Sequence, residues 1–170
     1  MFAGMLEQEV KLRFASLEAA RLAVTTAGGR LVRSRRLQND RFLDTPELHL
    51  GSAKLALRLR REPDLTTITY KGVPQGGPVK TREEIESTVG DADALELLFS
   101  RLGFTERWRF EKHREDYALG DAKVFIDDTS VGVFVEIEAT PELIETTAAL
   151  LGKTPADYLL SSYRSLAVKP

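Results

Sequence analysis

The feature that most constrains this chain is an alternation of charged and apolar residues that recurs in one segment after another. It begins at Glu7-Gln8-Glu9-Val10-Lys11. A strand sends successive side chains to opposite faces. A strand here therefore puts Glu7, Glu9 and Lys11 (with Arg13 beyond) on one face and Leu6, Val10, Leu12 and Phe14 on the other. Alone, this reads as an edge strand with a solvated face. The pattern returns, however. Lys54, Arg58 and Arg60 alternate with Leu55, Leu57 and Leu59, and Thr67, Thr69 and Lys71 alternate with Ile68 and Tyr70. Arg82, Glu84 and Glu86 share a phase, as do Lys112, Arg114 and Asp116, while Glu136 and Glu138 alternate with Val133, Val135 and Ile137.

The intervening segments supply turns and helices. Ser16 can cap a helix over 17–26 that stops at Gly28-Gly29. An Arg-rich strand over 31–43 ends in the turn Asp44-Thr45-Pro46, and the strand over 54–62 turns at Pro63-Asp64 into a return strand over 65–71. A Gly/Pro-rich loop over 72–78 precedes a strand over 79–89. Asp93 and Glu96 have capping-box spacing for a helix to Leu102, closed by Gly103. Strands follow over 105–119, 122–127 and 133–139. Thr140-Pro141 and Thr154-Pro155 each place an N-cap before a Pro at the first helical position, and the second of these helices is expected to run through Tyr158 and Tyr163. The sum is eight mostly antiparallel strands with helices, one α+β domain over residues 1–170 on a closed or nearly closed antiparallel sheet.

Composition narrows the chemistry. The chain has no Cys, which removes disulfides, thiolate catalysis and sulfur-ligated zinc, and His49 and His113 are too few for a His-based metal cluster. A net charge of −2 and a pI near 5.8 argue against a polyanion binder acting through its outer surface, so no nucleic-acid partner is expected. No apolar run reaches transmembrane length and the first residues do not read as a signal peptide. The expectation is a cytoplasmic protein with no membrane partner.

The helices are amphipathic and need apolar strand faces to cover. They can pack outside the sheet only if the charged faces point inward. The interior then holds Glu7, Glu9, Lys11, Arg58, Arg60, Lys71, Arg82, Glu84, Glu86, Lys112, Arg114, Glu136 and Glu138. An unpaired buried charge costs several kcal/mol. Such an interior requires a water-filled tunnel, a bound polyvalent ligand, or both. The alternatives are that the charges pair with one another, or that the sheet is open and they are solvated. Cations contributed by several strands suit a polyphosphate. The carboxylate pairs Glu7/Glu9, Glu84/Glu86 and Glu136/Glu138, without His or Cys, suit Mg²⁺ or Mn²⁺. Together these are the parts of a phosphoryl-transfer site. Paired carboxylates acting on a glycosidic bond would leave the Arg/Lys set unexplained.

With these residues in view, the sequence resembles the CYTH superfamily, which groups class IV adenylate cyclases, thiamine triphosphatases and inorganic tripolyphosphatases. The signature ExExK stands as Glu7-x-Glu9-x-Lys11. It is followed in order by Asp40 and the FLDTP turn, Leu57-Arg58-Leu59-Arg60, and Thr69-Tyr70-Lys71-Gly72. The pattern continues through Arg82-Glu83-Glu84-Ile85-Glu86, Glu111-Lys112-His113-Arg114, Phe125-Ile126-Asp127, Glu136-Ile137-Glu138 and Ser162-Tyr163 with Leu166. The resemblance implies an eight-stranded antiparallel closed β-barrel, the triphosphate tunnel, with helices packed outside. It implies that Lys11, Arg58, Arg60, Lys71, Arg82, Lys112 and Arg114 hold a triphosphate. Glu7, Glu9, Glu136 and Glu138 would hold metal, with Glu84, Glu86 and Asp127 as further ligands or supporting groups. Lys11 is also the candidate to activate or position a nucleophile. Two departures stand out: Met1 occupies the position of a His that precedes Phe2 in some cyclase-type members, and Phe42 replaces the usual Tyr before the turn.

The leading expectation is a Mg²⁺- or Mn²⁺-dependent enzyme acting on a small-molecule triphosphate: tripolyphosphate, thiamine triphosphate or ATP. Hydrolysis ranks ahead of adenylate cyclisation because no base-reading motif is identifiable, and Tyr70, Phe110 and Phe134 read as packing residues. A non-catalytic polyphosphate- or nucleotide-binding module is the reading from another class, and the intact Glu pairs argue against it. A homodimer is left open.

Overall fold

The computed structural model describes residues 5–167. Met1 and Phe2, and the departure they carry, lie outside the described residues. Eight strands are present: β1 (Met5–Phe14), β2 (Arg30–Asp44), β3 (Ala56–Arg61), β4 (Thr66–Lys71), β5 (Lys80–Thr88), β6 (Thr105–Leu119), β7 (Ala122–Thr129) and β8 (Gly132–Glu138). Five helices accompany them: α1 (Leu17–Thr26), α2 (His49–Ser52), α3 (Ala92–Arg101), α4 (Pro141–Leu150) and α5 (Tyr163–Ala167). In hydrogen-bonding order the antiparallel strands run β1-β5-β4-β3-β2-β6-β7-β8, and the sheet closes on itself. No helix among the described residues is long and apolar enough to cross a membrane.

The described residues gather into two compact units, one of residues 5–6, 37–75 and 82–111, the other of residues 7–36, 76–81 and 112–167. The second unit holds the main apolar core. Val10 and Leu12 of β1, Val124 and Ile126 of β7, and Val135 and Ile137 of β8 are buried together with Ala20 and Val24 of α1 and Ile144 and Ala148 of α4. Both helices lie against β7 and β8. Each large aliphatic side chain removed from water here contributes about 1.5–3 kcal/mol, enough to fix which face of the strand is covered. The register follows from that. A slip of one residue would turn Glu9, Lys11 and Glu136 into the helix-covered layer.

Local signals explain the helix ends. The Ser16 hydroxyl accepts from the Ala19 N–H at 3.1 Å to start α1, and Thr140 does the same for Leu143 at the start of α4, ahead of Pro141. α1 stops where Gly28 adopts φ +92° and the Gly29 N–H bonds the Val24 carbonyl at 2.9 Å. A Cβ on Gly29 would sit 2.5 Å from Val24 Cγ1, so the second glycine is there for close approach.

In the first unit β3, β4 and β5 pair in sequence, with Arg58↔Thr69↔Glu86 and Leu59↔Ile68 in register. Trp108 stacks on Phe110 with centroids 5.3 Å apart, and Phe42 lies tilted against Trp108 at 5.0 Å. The structure departs from the sequence reading in three places here and at the C-terminus. First, α2 precedes β3, so Lys54 sits at φ +59° outside the strand and β3 starts at Ala56. Second, Asp91 rather than Asp93 caps α3, accepting from Ala94 N at 2.9 Å. Asp93 and Glu96 instead hold Arg61 at 2.6 and 2.7 Å, and Glu96 also holds Arg41. Third, the helix expected through Tyr158 and Tyr163 is broken. A 3₁₀ turn over Pro155–Asp157 gives way to extended chain, because Leu159 exchanges backbone hydrogen bonds with Lys11 at 2.9 and 3.1 Å, and α5 begins only at Tyr163.

The FLDTP turn carries its own stability test. Asp44 accepts from the N–H groups of Thr45, Leu50 and Gly51 at 2.7, 3.0 and 2.8 Å. Burial pushes its carboxyl up, but these three bonds outweigh burial and hold it below the ordinary value. Asp44→Asn should cost about 2 kcal/mol at pH 7. Because the folded pKa is depressed, the wild-type contribution is full above the unfolded value near ~4 and fades as pH falls through the folded one. Urea unfolding at pH 7 and pH 3 checks this: the gap between wild type and variant should narrow at the lower pH.

Candidate active site

In the second unit the uncovered faces of β1, β6, β7 and β8 carry the charged residues, and strand pairing sets them side by side. Lys11 lies opposite Glu136, Glu9 opposite Glu138, and Arg114 opposite Asp127. Lys11 Nζ stands 3.2 Å from Glu9 Oε1 and 3.3 Å from Glu136 Oε1. Lys80, the first residue of β5, donates to the same Glu9 oxygen. Arg114 bridges to Glu136 through Nη2 at 2.5 Å. Asp127, fully buried, accepts from Lys112 Nζ at 2.6 Å, from Arg114 Nε and Nη2 at 2.6 Å each, and from the Tyr163 hydroxyl at 2.7 Å.

This is a continuous run of alternating charge, from Lys80 through Glu9, Lys11, Glu136 and Arg114 to Asp127 and Lys112. Lys11, Lys112, Arg114 and Glu136 are each 6% exposed or less, so the pairing answers the sequence-level question of how such a face can be buried. Burial pushes the Glu136 carboxyl up, but Lys11, Arg114 and Lys112 together hold it well below the ordinary range. Burial would likewise push the Lys11 ammonium down, and the charges of Glu136 and Glu9 outweigh it and raise it instead. Lys11 is a cation in this setting.

Glu138 stands apart. Burial raises its carboxyl, the negative charges of Glu9 and Glu136 add to the rise, and a hydrogen bond with Glu7 and the charge of Arg114 pull the other way. One oxygen each from Glu9, Glu136 and Glu138 lies within 4.8 Å of the others. Three converging carboxylates repel one another, and a divalent cation would relieve that repulsion. The donors are all oxygen, the set that suits Mg²⁺ or Mn²⁺ and not zinc. The residues therefore fit the metal that the fold implies. Of the seven acidic residues expected to bind it, Glu9, Glu136 and Glu138 converge, and Glu7 joins them through Glu138. Asp127 instead holds two cations and a tyrosine.

The first unit carries a separate charged set. Arg60 grips Asp40 with Nε and Nη2 at 2.6 and 2.7 Å, a bidentate pair. Arg58 Nη2 donates to Thr69 Oγ1 at 3.1 Å and to Glu86 at 3.3 Å, and Lys71 donates to Glu84. Arg82 turns to backbone: it donates to the Gly72 carbonyl, and to those of Lys54 and Lys71 at 3.0 and 3.3 Å. Glu84 and Glu86 thus serve as partners of Lys71, Arg58 and Thr69.

Sequence reasoning passed over Lys80, although it stands two residues before Arg82 in the same phase. It also left Asp40 and Tyr163 without roles. Asp40 is legible as the cross-strand neighbour of Arg60 only once the β2–β3 register is known. Tyr163 reaches Asp127 from 36 residues away.

The comparisons with known proteins bear on the family and the fold. The CYTH domain family model matches residues 5–163. The chain belongs to the CYTH family. A Methanocaldococcus jannaschii protein named "Putative adenylate cyclase MJ0240" is 30% identical over 135 residues, covering 79% of this chain and 77% of that one. Among solved structures, a Vibrio parahaemolyticus protein described as a "putative adenylate cyclase" superposes with a TM-score of 0.84 at 19% identity, covering 98% of this chain and 100% of its own. HpAC1 from Hippeastrum, an adenylyl cyclase by name described as having a dominant triphosphatase activity, gives 0.71 at 23% identity, with 95% and 94% covered. At these identities the two structures speak to the fold, which is that of the CYTH proteins.

Proposed function

We propose that this CYTH protein is a divalent-metal-dependent enzyme that hydrolyses inorganic triphosphate or a triphosphate ester. The observation that carries the reading is the convergence of Glu9, Glu136 and Glu138 beside the buried cations Lys11 and Arg114. Carboxylates that hold Mg²⁺ or Mn²⁺ next to phosphate-binding cations are the two halves of a phosphoryl-transfer site. When bound, the metal supplies neutralisation of charge on the phosphate oxygens. Lys11, Lys112 and Arg114 bind and orient phosphate, and Arg58, Arg60, Lys71 and Arg82 are proposed as further phosphate-binding cations. Lys11, as a buried ammonium, contacts the phosphate that is attacked.

Adenylate cyclisation is the second reading, favoured by the name of the Methanocaldococcus jannaschii relative. The description of the Hippeastrum protein favours hydrolysis. Incubation with tripolyphosphate, thiamine triphosphate and ATP under Mg²⁺ or Mn²⁺, with phosphate, pyrophosphate and cyclic AMP measured, separates them. Phosphate release is expected. Cyclic AMP with pyrophosphate as the main products from ATP would reverse the order, and binding without turnover of any of the three would make the protein a binding module.

Arg60→Ala should weaken tripolyphosphate binding by about tenfold, the loss of one charge-assisted contact. Calorimetric titration measures it, and unchanged affinity would remove Arg60 from the phosphate-binding set.

A further inference from the structure

The segment after α4 reaches the charged run at two points. Leu159 pairs its backbone with that of Lys11, and four residues later Tyr163 enters with its hydroxyl on Asp127. Its ring then lies below two ammonium groups, Lys11 Nζ at 5.2 Å and Lys112 Nζ at 4.9 Å from the centroid. The ring is itself held edge-on against Phe134, a fully buried neighbour at 5.4 Å. Ser162 fixes the approach, since its hydroxyl accepts from the Ser165 N–H at 3.1 Å and its carbonyl from Leu166 N at 3.0 Å.

From this we infer that Tyr163 is a positioning residue for the phosphate-binding cations. The inference rests on the proposed triphosphate chemistry and assigns to that site a part no strand supplies. The reasoning concerns Asp127, which has two oxygens and four donors. Oδ1 takes Arg114 Nε, while Oδ2 takes Arg114 Nη2, Lys112 and Tyr163. Two flexible cations on one carboxylate can exchange places and rotate it. A third donor on a rigid aromatic arm fixes the plane of the carboxylate, and through it the directions of Lys112 and Arg114. The ring adds a cation–π contact to Lys11 and Lys112, worth more in a desolvated setting than at a surface. The tyrosine thus acts on three of the expected phosphate ligands.

The test is a double-mutant cycle read by tripolyphosphate binding in EDTA, which needs no turnover. Tyr163→Phe keeps the ring, its stacking and its cation–π contacts and removes only the donor. It is expected to weaken tripolyphosphate about tenfold, 1.4 kcal/mol at 25 °C. In an Asp127→Asn background the same change should weaken binding less than twofold, because the hydroxyl works through that carboxylate. If Asp127→Asn does not fold, Lys112→Met replaces it as the other end of the link, and the tyrosine effect should again shrink. Thermal unfolding confirms that each variant is folded. Unchanged affinity in Tyr163→Phe, or an equal tenfold loss in both backgrounds, overturns the inference. A wild-type protein that binds neither tripolyphosphate nor a triphosphate ester, in EDTA or in Mg²⁺, would instead overturn the proposed function, so the two failures are distinguishable.

Discussion

Glu9→Gln should remove metal-dependent turnover, lowering kcat/KM on the preferred triphosphate about 10³-fold, while the protein still unfolds cooperatively within a few degrees of wild type. A metal ion acting on phosphoryl oxygens supplies several kcal/mol of transition-state stabilisation, and about 4 kcal/mol corresponds to a rate factor near 10³. The substitution is close to isosteric. The amide oxygen can still accept from Lys11 and Lys80, and Lys11 keeps Glu136 at 3.3 Å. The Glu9 side chain is 13% exposed, so the site can adjust with little strain. What disappears is one of three converging negative charges. Mg²⁺ titration by calorimetry, or Mn²⁺ binding followed by electron paramagnetic resonance, should report a matching loss of affinity. A variant with wild-type turnover would remove Glu9 from the metal ligands, whatever the substrate.

Much of this site is legible in the sequence because strands encode it with a period of two. Glu9, Lys11, Lys112, Arg114, Glu136 and Glu138 fall in phase within their strands, and burial of Val10, Leu12, Val135 and Ile137 under α1 and α4 leaves them only the other face. The element count pointed to a closed or nearly closed sheet, and it was the CYTH resemblance that implied the closed barrel the structure shows. What alternation does not give is the partner of each charge. Asp127, grouped with possible metal ligands from its sequence motif, turns out to clamp Lys112 and Arg114. That depends on β6–β7 pairing, which places Arg114 opposite Asp127. The end of the chain was the least legible. Thr154-Pro155 signals a helix start, and nothing local says that Leu159 will leave the helix to pair with Lys11. A tertiary backbone contact overrode the local preference there, and it is what delivers Tyr163. The cap of α3 failed for a smaller reason: Asp91 and Asp93 offer competing caps, and Arg61 draws Asp93 away.

Asp127→Ala should be the most destabilising single change in the second unit, by about 3–5 kcal/mol, which is the usual cost of breaking a buried ion pair by removing one partner. Against a total stability of about 5–15 kcal/mol for a domain, that is a third or more. The carboxylate is fully buried, and its loss strips Lys112 and Arg114, at 4% and 6% exposure, of their shared anion. Arg114 retains Glu136, which limits the loss on that side. Asp127→Asn, which keeps an acceptor oxygen and the volume, should lose less. The sharper comparison is the combination Asp127→Leu, Lys112→Met, Arg114→Met. Replacing buried ions by apolar groups of similar volume is often neutral or stabilising, so urea unfolding should place this variant near wild type and well above Asp127→Ala. Triphosphate binding should nevertheless be lost. Recovery of stability without binding would mean that the buried charges are kept for the phosphate and not for the fold. A triple variant as unstable as Asp127→Ala would mean that the ion cluster is itself structural, and the phosphate-binding assignment of Lys112 and Arg114 would have to rest on binding data alone.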